Sequence, residues 1–108
     1  MGSYLLIESR DPFESNDVRN AYDLARGLAA NNDVTVFLVQ NGVLPARQAS
    51  AAASQVSDLT SSATVLADDF SLRERGIRAE ELVPGVTPSP IDTVVDLAAE
   101  SGRKVIWH

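Results

Sequence analysis

Two adjacent carboxylates, Asp68 and Asp69, end the apolar run VLA at residues 65–67, and the arginine-rich stretch FSLRERGI follows them. Two close acids can separate their pKa values and divide the roles of proton donor and acceptor. Neighbouring residues at a strand end point in different directions, however, and Asp is a preferred helix N-cap. Asp69 is therefore expected to cap a helix beginning at Phe70, accepting from the amide of Ser71 or Leu72. Asp68 is expected to be a hydrogen-bonded loop acid, paired with Arg73 or Arg75. His108 is the sole histidine and the last residue. With Asp68 and Glu8 it would make a carboxylate–imidazole set of the kind that holds a metal. Chain ends fray and no HExxH-like spacing exists, so no metal site is assigned. Ser9 and Ser71 lack a GxSxG setting or a positioned base. GxGxxG and P-loop patterns are absent, so no cofactor is implied. No residue is assigned as catalytic.

Composition narrows the function classes. The chain has 108 residues, which fits a single domain spanning 1–108. Its 44% hydrophobic content is enough for one modest core. The absence of cysteine excludes disulfides, thiolate chemistry and thiol-based sulfur transfer. A net charge of −6 would repel a phosphate backbone, so no nucleic-acid partner is expected. No run approaches the ~20 apolar residues of a membrane span. The opening MGSYLLIESR lacks a basic start and an apolar signal core, so a cytoplasmic location is expected.

The elements that must position these residues follow from hydrophobic pattern. Tyr4 to Ile7, Val34 to Val39 and Ala63 to Ala67 are continuous apolar runs that read as buried strands. Lys104 to Trp107 reads as the final strand, and Glu81 to Val83 as a short fourth strand before Pro84-Gly85. Between them, Asp17 to Ala30 repeats apolar residues at helical spacing, with Ser15 or Asn16 as N-cap and Asn31 or Asn32 as a left-handed C-cap. Ala46 to Val56 is expected to be helical. So is Phe70 to Arg75, closed by Gly76. The last helix is expected to open with Ser89 at N-cap and Pro90 in its first turn. It would bury Ile91, Val94, Val95, Leu97 and Ala98, and stop at Gly102. Strands alternating with helices mean βαβ units. The expected fold is a three-layer α/β/α sandwich around a mostly parallel five-stranded sheet.

Open parallel sheets bind ligands beyond the carboxyl ends of their strands. That rule gathers Arg10, Gln40, Asn41, Asp68 and His108 on one rim as the candidate ligand-binding residues. An anion could also rest where the first helix starts, near Asn16, with Arg10 beside it. A solvated loop arginine is the plainer reading there.

Three stretches, VTVFLVQNGVLPAR, LADDFSLRERGI and PIDTVVDLAAESGRKVIW, resemble in order the DsrE/DsrF/DsrH superfamily. These are subunits of the Dsr and Tus sulfur-relay complexes and their stand-alone relatives. Gln40 to Val43 and Arg75 to Ile77 carry the resemblance best. The early SRDPFES and the closing VIW are similar to the DsrH/TusB branch. The resemblance implies a parallel sandwich that assembles into trimers or hexamers, often of mixed DsrE-family subunits. It also implies that sulfur-carrying members place a persulfide cysteine after the third long strand. Aligned on Leu72 and Arg75-Gly76-Ile77, that position falls at or near Asp68. A carboxylate cannot carry a persulfide. TusB-type members also lack the cysteine and help to build the complex.

Three functions are compatible with these residues. The first is a non-catalytic subunit of a sulfur-relay-type assembly. The second is a stand-alone homo-oligomer binding a small ligand at the rim. The third is an enzyme using carboxylate acid–base chemistry at Asp68. They are weighted in that order. Oligomerisation has its own motive, because so small a chain buries a limited fraction of its surface.

Overall fold

The computed structural model describes residues 2–108. Five strands form one sheet: β1 (Ser3–Glu8), β2 (Asp33–Leu38), β3 (Thr64–Asp68), β4 (Val86–Ser89) and β5 (Arg103–Trp107). Their order is β4-β3-β2-β1-β5, and every pairing is parallel. Four α-helices connect them: α1 (Asp17–Ala29), α2 (Ala53–Thr60), α3 (Asp69–Glu74) and α4 (Ile91–Ala99). The α/β sandwich expected from the alternating pattern is the fold observed.

The strand order decides how the two faces are covered. From β1 to β4 the chain steps one strand at a time in a single direction. Right-handed crossovers then put α1, α2 and α3 on the same face. That face holds the larger core, in which Leu6, Val36, Leu38, Val65 and Ala67 meet Val18, Tyr22, Ala25, Val56, Leu59 and Leu72. After β4 the chain reverses and crosses three strands to place β5 beside β1. The same handedness now puts α4 on the opposite face. There Leu5, Ile7, Phe37 and Leu66 pack against Val94, with Leu97 half-buried.

Several boundaries differ from expectation, each for a local reason. The second helix begins at Ala53, not Ala46, and runs on to Thr60. Gln40–Ala46 form a 3₁₀ helix containing Pro45. The backbone after it bonds to residues 81–83: Gln48 N donates to Glu81 O at 2.8 Å, and Val83 N to Ala46 O at 2.8 Å. Residues 81–83 are thereby occupied, and the fourth strand forms later, at Val86–Ser89. This strand lies at the sheet edge, where Pro88 costs no ladder bond on the outer side. Ser89 belongs to that strand and Pro90 occupies the N-cap of α4, so Ser89 does not cap it. The helix α1 ends in right-handed geometry at Ala30. Asn32 closes it through its side chain, donating from Nδ2 to Leu28 O at 2.8 Å. Gly76 does end α3 with φ +66°, and Ile77 N reaches back to Leu72 O at 2.9 Å.

The expected apolar face of α4 is only partly used. Val94 is buried, while Ile91 and Val95 are 51% and 59% exposed. Val105 and Trp107 lie across from Leu5 and Ile7 on the same sheet face, and Trp107 is 71% exposed. One nine-residue helix does not span that side of a five-stranded sheet.

The opposite extreme of packing is at Gly42. A Cβ there would overlap the Glu8 carbonyl oxygen and touch its carbon at 3.0 Å. Backbone cannot retreat as a side chain can, and overpacking typically costs about 1–3 kcal/mol. Gly42→Ala is expected to lower unfolding stability by at least that range, read as a lower urea midpoint.

Candidate functional site at the strand C-terminal rim

All five parallel strands deliver their C-terminal ends to one rim, and two polar networks occupy it. The first joins β3 to β2. Asp68, not Asp69, is the N-cap of α3: its Oδ2 accepts from Ser71 N at 3.0 Å and from Ser71 Oγ at 2.6 Å. The ladder of β3 continues through Asp68, one residue further than the apolar run, and this moves the cap by one position. Ser71 Oγ in turn accepts from Gln40 N at 2.8 Å. That bond holds Gln40 at φ +55°, a left-handed conformation costing non-glycine residues roughly 1–2 kcal/mol. Asp69 faces outward and pairs with Arg73 at 3.7 Å. Neither Arg73 nor Arg75 pairs with Asp68. Arg75 instead donates to Asn41 Oδ1 from Nε and Nη2, at 3.2 and 3.0 Å, and to Ser71 O at 3.2 Å. Asn41 Nδ2 donates to Glu14.

The second network joins β1 to β5. Glu8 is fully buried, on the same face as Leu6. Its Oε1 lies 2.6 Å from His108 Nδ1, and its Oε2 accepts from Arg10 N at 3.0 Å. With Nδ1 donating to the carboxylate, Nε2 faces outward, 3.4 Å from Arg10 Nη2. His108 is not frayed. Its N donates to Ile7 O at 2.8 Å, and its O accepts from Ser9 N and Ser9 Oγ at 3.2 and 3.1 Å. A buried carboxylate needs a partner charge or several donors. The residue following β5 supplies one.

Behind Glu8 lie two groups that the sequence did not single out. Asp11 is buried and accepts through Oδ1 from the amides of Phe13 and Glu14, at 2.7 and 2.9 Å, fixing the loop before α1. Tyr22 extends from α1 into the same region, and its hydroxyl is buried without a hydrogen-bond partner. Burial first, then the Glu8 and Asp11 carboxylates, hold that hydroxyl well above the usual phenol range. Tyr22 falls within the apolar helical repeat of residues 17–30, and nothing local signalled the acids beside it. The pattern Asp68-x-x-Ser71 did contain the capping signal, since a cap accepts from the residue two or three positions on.

The rim residues do not line one cavity. Asp68 borders a depression of about 450 Å³ between α3 and α4, together with Phe70, Arg73, Ile91 and Asp92. His108 borders a separate cleft of about 200 Å³ between α1 and β5, floored by Leu6, Ala21 and Ile106. The two share no residue. Among the described residues, no group of three His, Cys, Asp or Glu side chains is placed to hold a metal ion. No helix among them is long and apolar enough to cross a membrane.

The DsrE/DsrF-like family model matches residues 2–107. The chain belongs to the DsrE/DsrF-like family. Solved structures share the fold at low identity. The ychN protein from E. coli superposes with a TM-score of 0.89 at 19% identity, covering 100% of both chains. MTH1491 from Methanobacterium thermoautotrophicum, described as a protein of unknown function, gives 0.84 at 22%, again over 100% of both chains. BT1422 from Bacteroides thetaiotaomicron, a conserved protein of unknown function, gives 0.81 at 13%, over 98% of this chain and 94% of that one. No curated protein matches. Within the family, this member is cysteine-free.

The Tyr22 hydroxyl yields a pH prediction. The folded chain keeps the phenol neutral, while the unfolded chain ionises it near pH ~10. Its contribution is therefore intact below that pH and is lost as pH rises further. Tyr22→Phe removes an unpaired buried donor and is expected to be neutral or up to about 1 kcal/mol stabilising at pH 7. In urea unfolding above pH ~10 it should lose less stability than the parent.

Proposed function

We propose that this DsrE/DsrF-like protein is a non-catalytic subunit of a sulfur-relay-type oligomeric assembly, working in the cytoplasm. It contributes surface and shape, and the reactive cysteines belong to partner chains of the same family. The observation that carries this reading is the under-covered sheet face, where Ile91, Val95, Val105 and Trp107 remain exposed. Large apolar groups left exposed on a thinly covered sheet face suit protein–protein contact. Asp68 supports it in a second way. The family resemblance puts the persulfide position at or near this residue, and here the carboxylate caps a helix and locks Ser71. The acid–base enzyme reading loses ground for the same reason, because Oδ2 is already committed to two donors.

Affinity purification of an N-terminally tagged copy from its native cell, followed by mass spectrometry, tests the assembly. Recovery of a cysteine-bearing DsrE-family chain is the expected result; recovery of the chain without any such partner would overturn the relay role. Asp68→Ala is expected to leave that assembly intact while lowering stability by about 1–2 kcal/mol through loss of the cap.

A second reading rests on one specific contact. Arg10 makes no ion pair among the described residues, and its guanidinium faces the outward nitrogen of His108. The guanidinium N–H groups not directed at His108 suit a small anion at the rim. Gln40, Asn41 and Asp68 have less to offer, since Ser71, Arg75 and Glu14 occupy their neighbours or their polar atoms. Titration with inorganic phosphate, followed through the His108 ring resonances, should give a saturable shift that Arg10→Ala removes. Absence of a shift in the parent would end this alternative.

A further inference from the structure

The strands β3 and β4 are neighbours in the sheet, yet the helices that follow them cover opposite faces. Their C-terminal ends therefore part around a crevice. Open parallel sheets hold ligands at such a switch of sides. The depression between α3 and α4 occupies this crevice. Its volume of about 450 Å³ lies within the ~300–1,000 Å³ range of sites for organic molecules.

Asp68 lines the depression and is only 5% exposed. The two bonds that engage its carboxylate, from Ser71 N and Ser71 Oγ, both end on Oδ2. Oδ1 accepts no hydrogen bond among the described residues, although a carboxylate has about four acceptor positions to fill. Nor is Oδ1 sealed inside the protein. The opening that Asp68 lines is this depression. A largely buried acceptor without a donor costs stability, and an N–H group from a ligand would satisfy it.

The rest of the lining narrows the ligand class. Asp92 stands in the first turn of α4 and makes no ion pair among the described residues. Asp69 and Arg73 pair with each other at 3.7 Å. Two carboxylates are left unmatched, and no cation is. The start of α4 alone would attract an anion, but Asp92 already answers that field. The walls are Phe70 and Ile91, 57% and 51% exposed. A divalent metal ion would want several oxygen ligands and no apolar walls, and no group of three acidic or imidazole side chains is placed to supply them among the described residues. An ammonium on a hydrocarbon body uses both halves of the site, and an aromatic ring such as Phe70 attracts the cation as well as the body.

We propose that the α3–α4 depression binds a small organic amine, its ammonium donating to Asp68 Oδ1 beside Asp92 and its hydrocarbon body resting between Phe70 and Ile91. The site shares no residue with the Arg10–His108 contact, and it requires no partner chain.

Titration of the purified full chain with benzylamine, followed through backbone amide resonances, tests this. A saturable shift of the amides of residues 68–73, 91 and 92 is expected. Methylamine, which lacks the body, and benzyl alcohol, which lacks the charge, should each bind at least about tenfold more weakly. Asp68→Asn keeps a preferred N-cap residue and removes the charge, and should weaken benzylamine binding about tenfold. Asp92→Asn changes an exposed side chain, leaves the core intact and should weaken binding about two- to fivefold. Circular dichroism checks that both variants fold; if Asp68→Asn does not, Asp92→Asn decides. A parent without a saturable shift overturns the site. So does a parent that takes methylamine as well as benzylamine, or an affinity that the folded variants leave unchanged.

Discussion

The reversal after β4 is the constraint on which the remaining structure depends. Four strands laid down in one direction commit α1, α2 and α3 to a single face. Placing β5 beside β1 then requires one long return, and the handedness of that return sends α4 to the other face. Coverage is unequal as a direct consequence. One face has a contiguous core from Leu6 to Leu82, and the other relies on Val94 and Leu97 to cover Leu5, Ile7, Phe37 and Leu66. At about 25 cal/mol per Å² of apolar surface removed from water, leaving Trp107 and Val95 exposed forgoes a sizeable gain. A single copy cannot recover it, because the topology supplies no further helix.

The reversal also shapes the rim. Because β5 arrives last and lies next to β1, the residue after it reaches Glu8, which is fully buried at the end of the first strand. Glu8 is held by main chain as well as by side chain: Val39 N donates to its carbonyl at 3.0 Å, and Gly42 presses against it. Strand one is therefore clamped at its tip from both sides, by the β2 turn and by His108. The Asp68–Ser71–Gln40 chain performs the same task one strand further on. Most of the polar atoms on this rim are engaged in joining strand ends, Arg10 and the outward nitrogen of His108 among them.

What the sequence revealed and what it hid follow from the range of the interactions involved. The strands β1, β2 and β3 were legible because burial on both faces writes continuous apolar runs, whereas β5 carries the apolar run VIW at an edge where its residues stay exposed or half-buried. Gly76 was legible because a left-handed cap is a local demand. The start of α2 was not, because Gln48 and Ala46 find their partners at Glu81 and Val83, more than thirty residues away. The fourth strand was misplaced for the same reason, and Pro88 disguised its true position at an edge. The strand ends that carry the rim residues do lie together, since the parallel-sheet rule requires only strand ends, but Asp68 and His108 border separate depressions. Its wiring was not legible. Gln40 shows no residue-type preference for a positive φ, and only Ser71, thirty-one positions on, explains why it adopts one. The fray expected at His108 failed because its partners, Ile7, Glu8 and Ser9, lie at the other end of the chain.

The carboxylate at residue 68 is best understood through the amide it accepts. Position 68 lies where a strand gives way to a helix, with the Ser71 amide directed at its side chain. A negative charge is favoured there whatever atom bears it. A thiolate at such a position would be stabilised by the same amide and helix start, which is how strand-to-helix junctions lower cysteine pKa values. Aspartate supplies the cap and carries no thiol. The local fold therefore does not depend on sulfur chemistry at this site. With aspartate at this position the chain has the rim, the turn at Gln40 and the α3–α4 depression that Asp68 borders. The least covered surface of the chain is the face that the reversal after β4 left to α4.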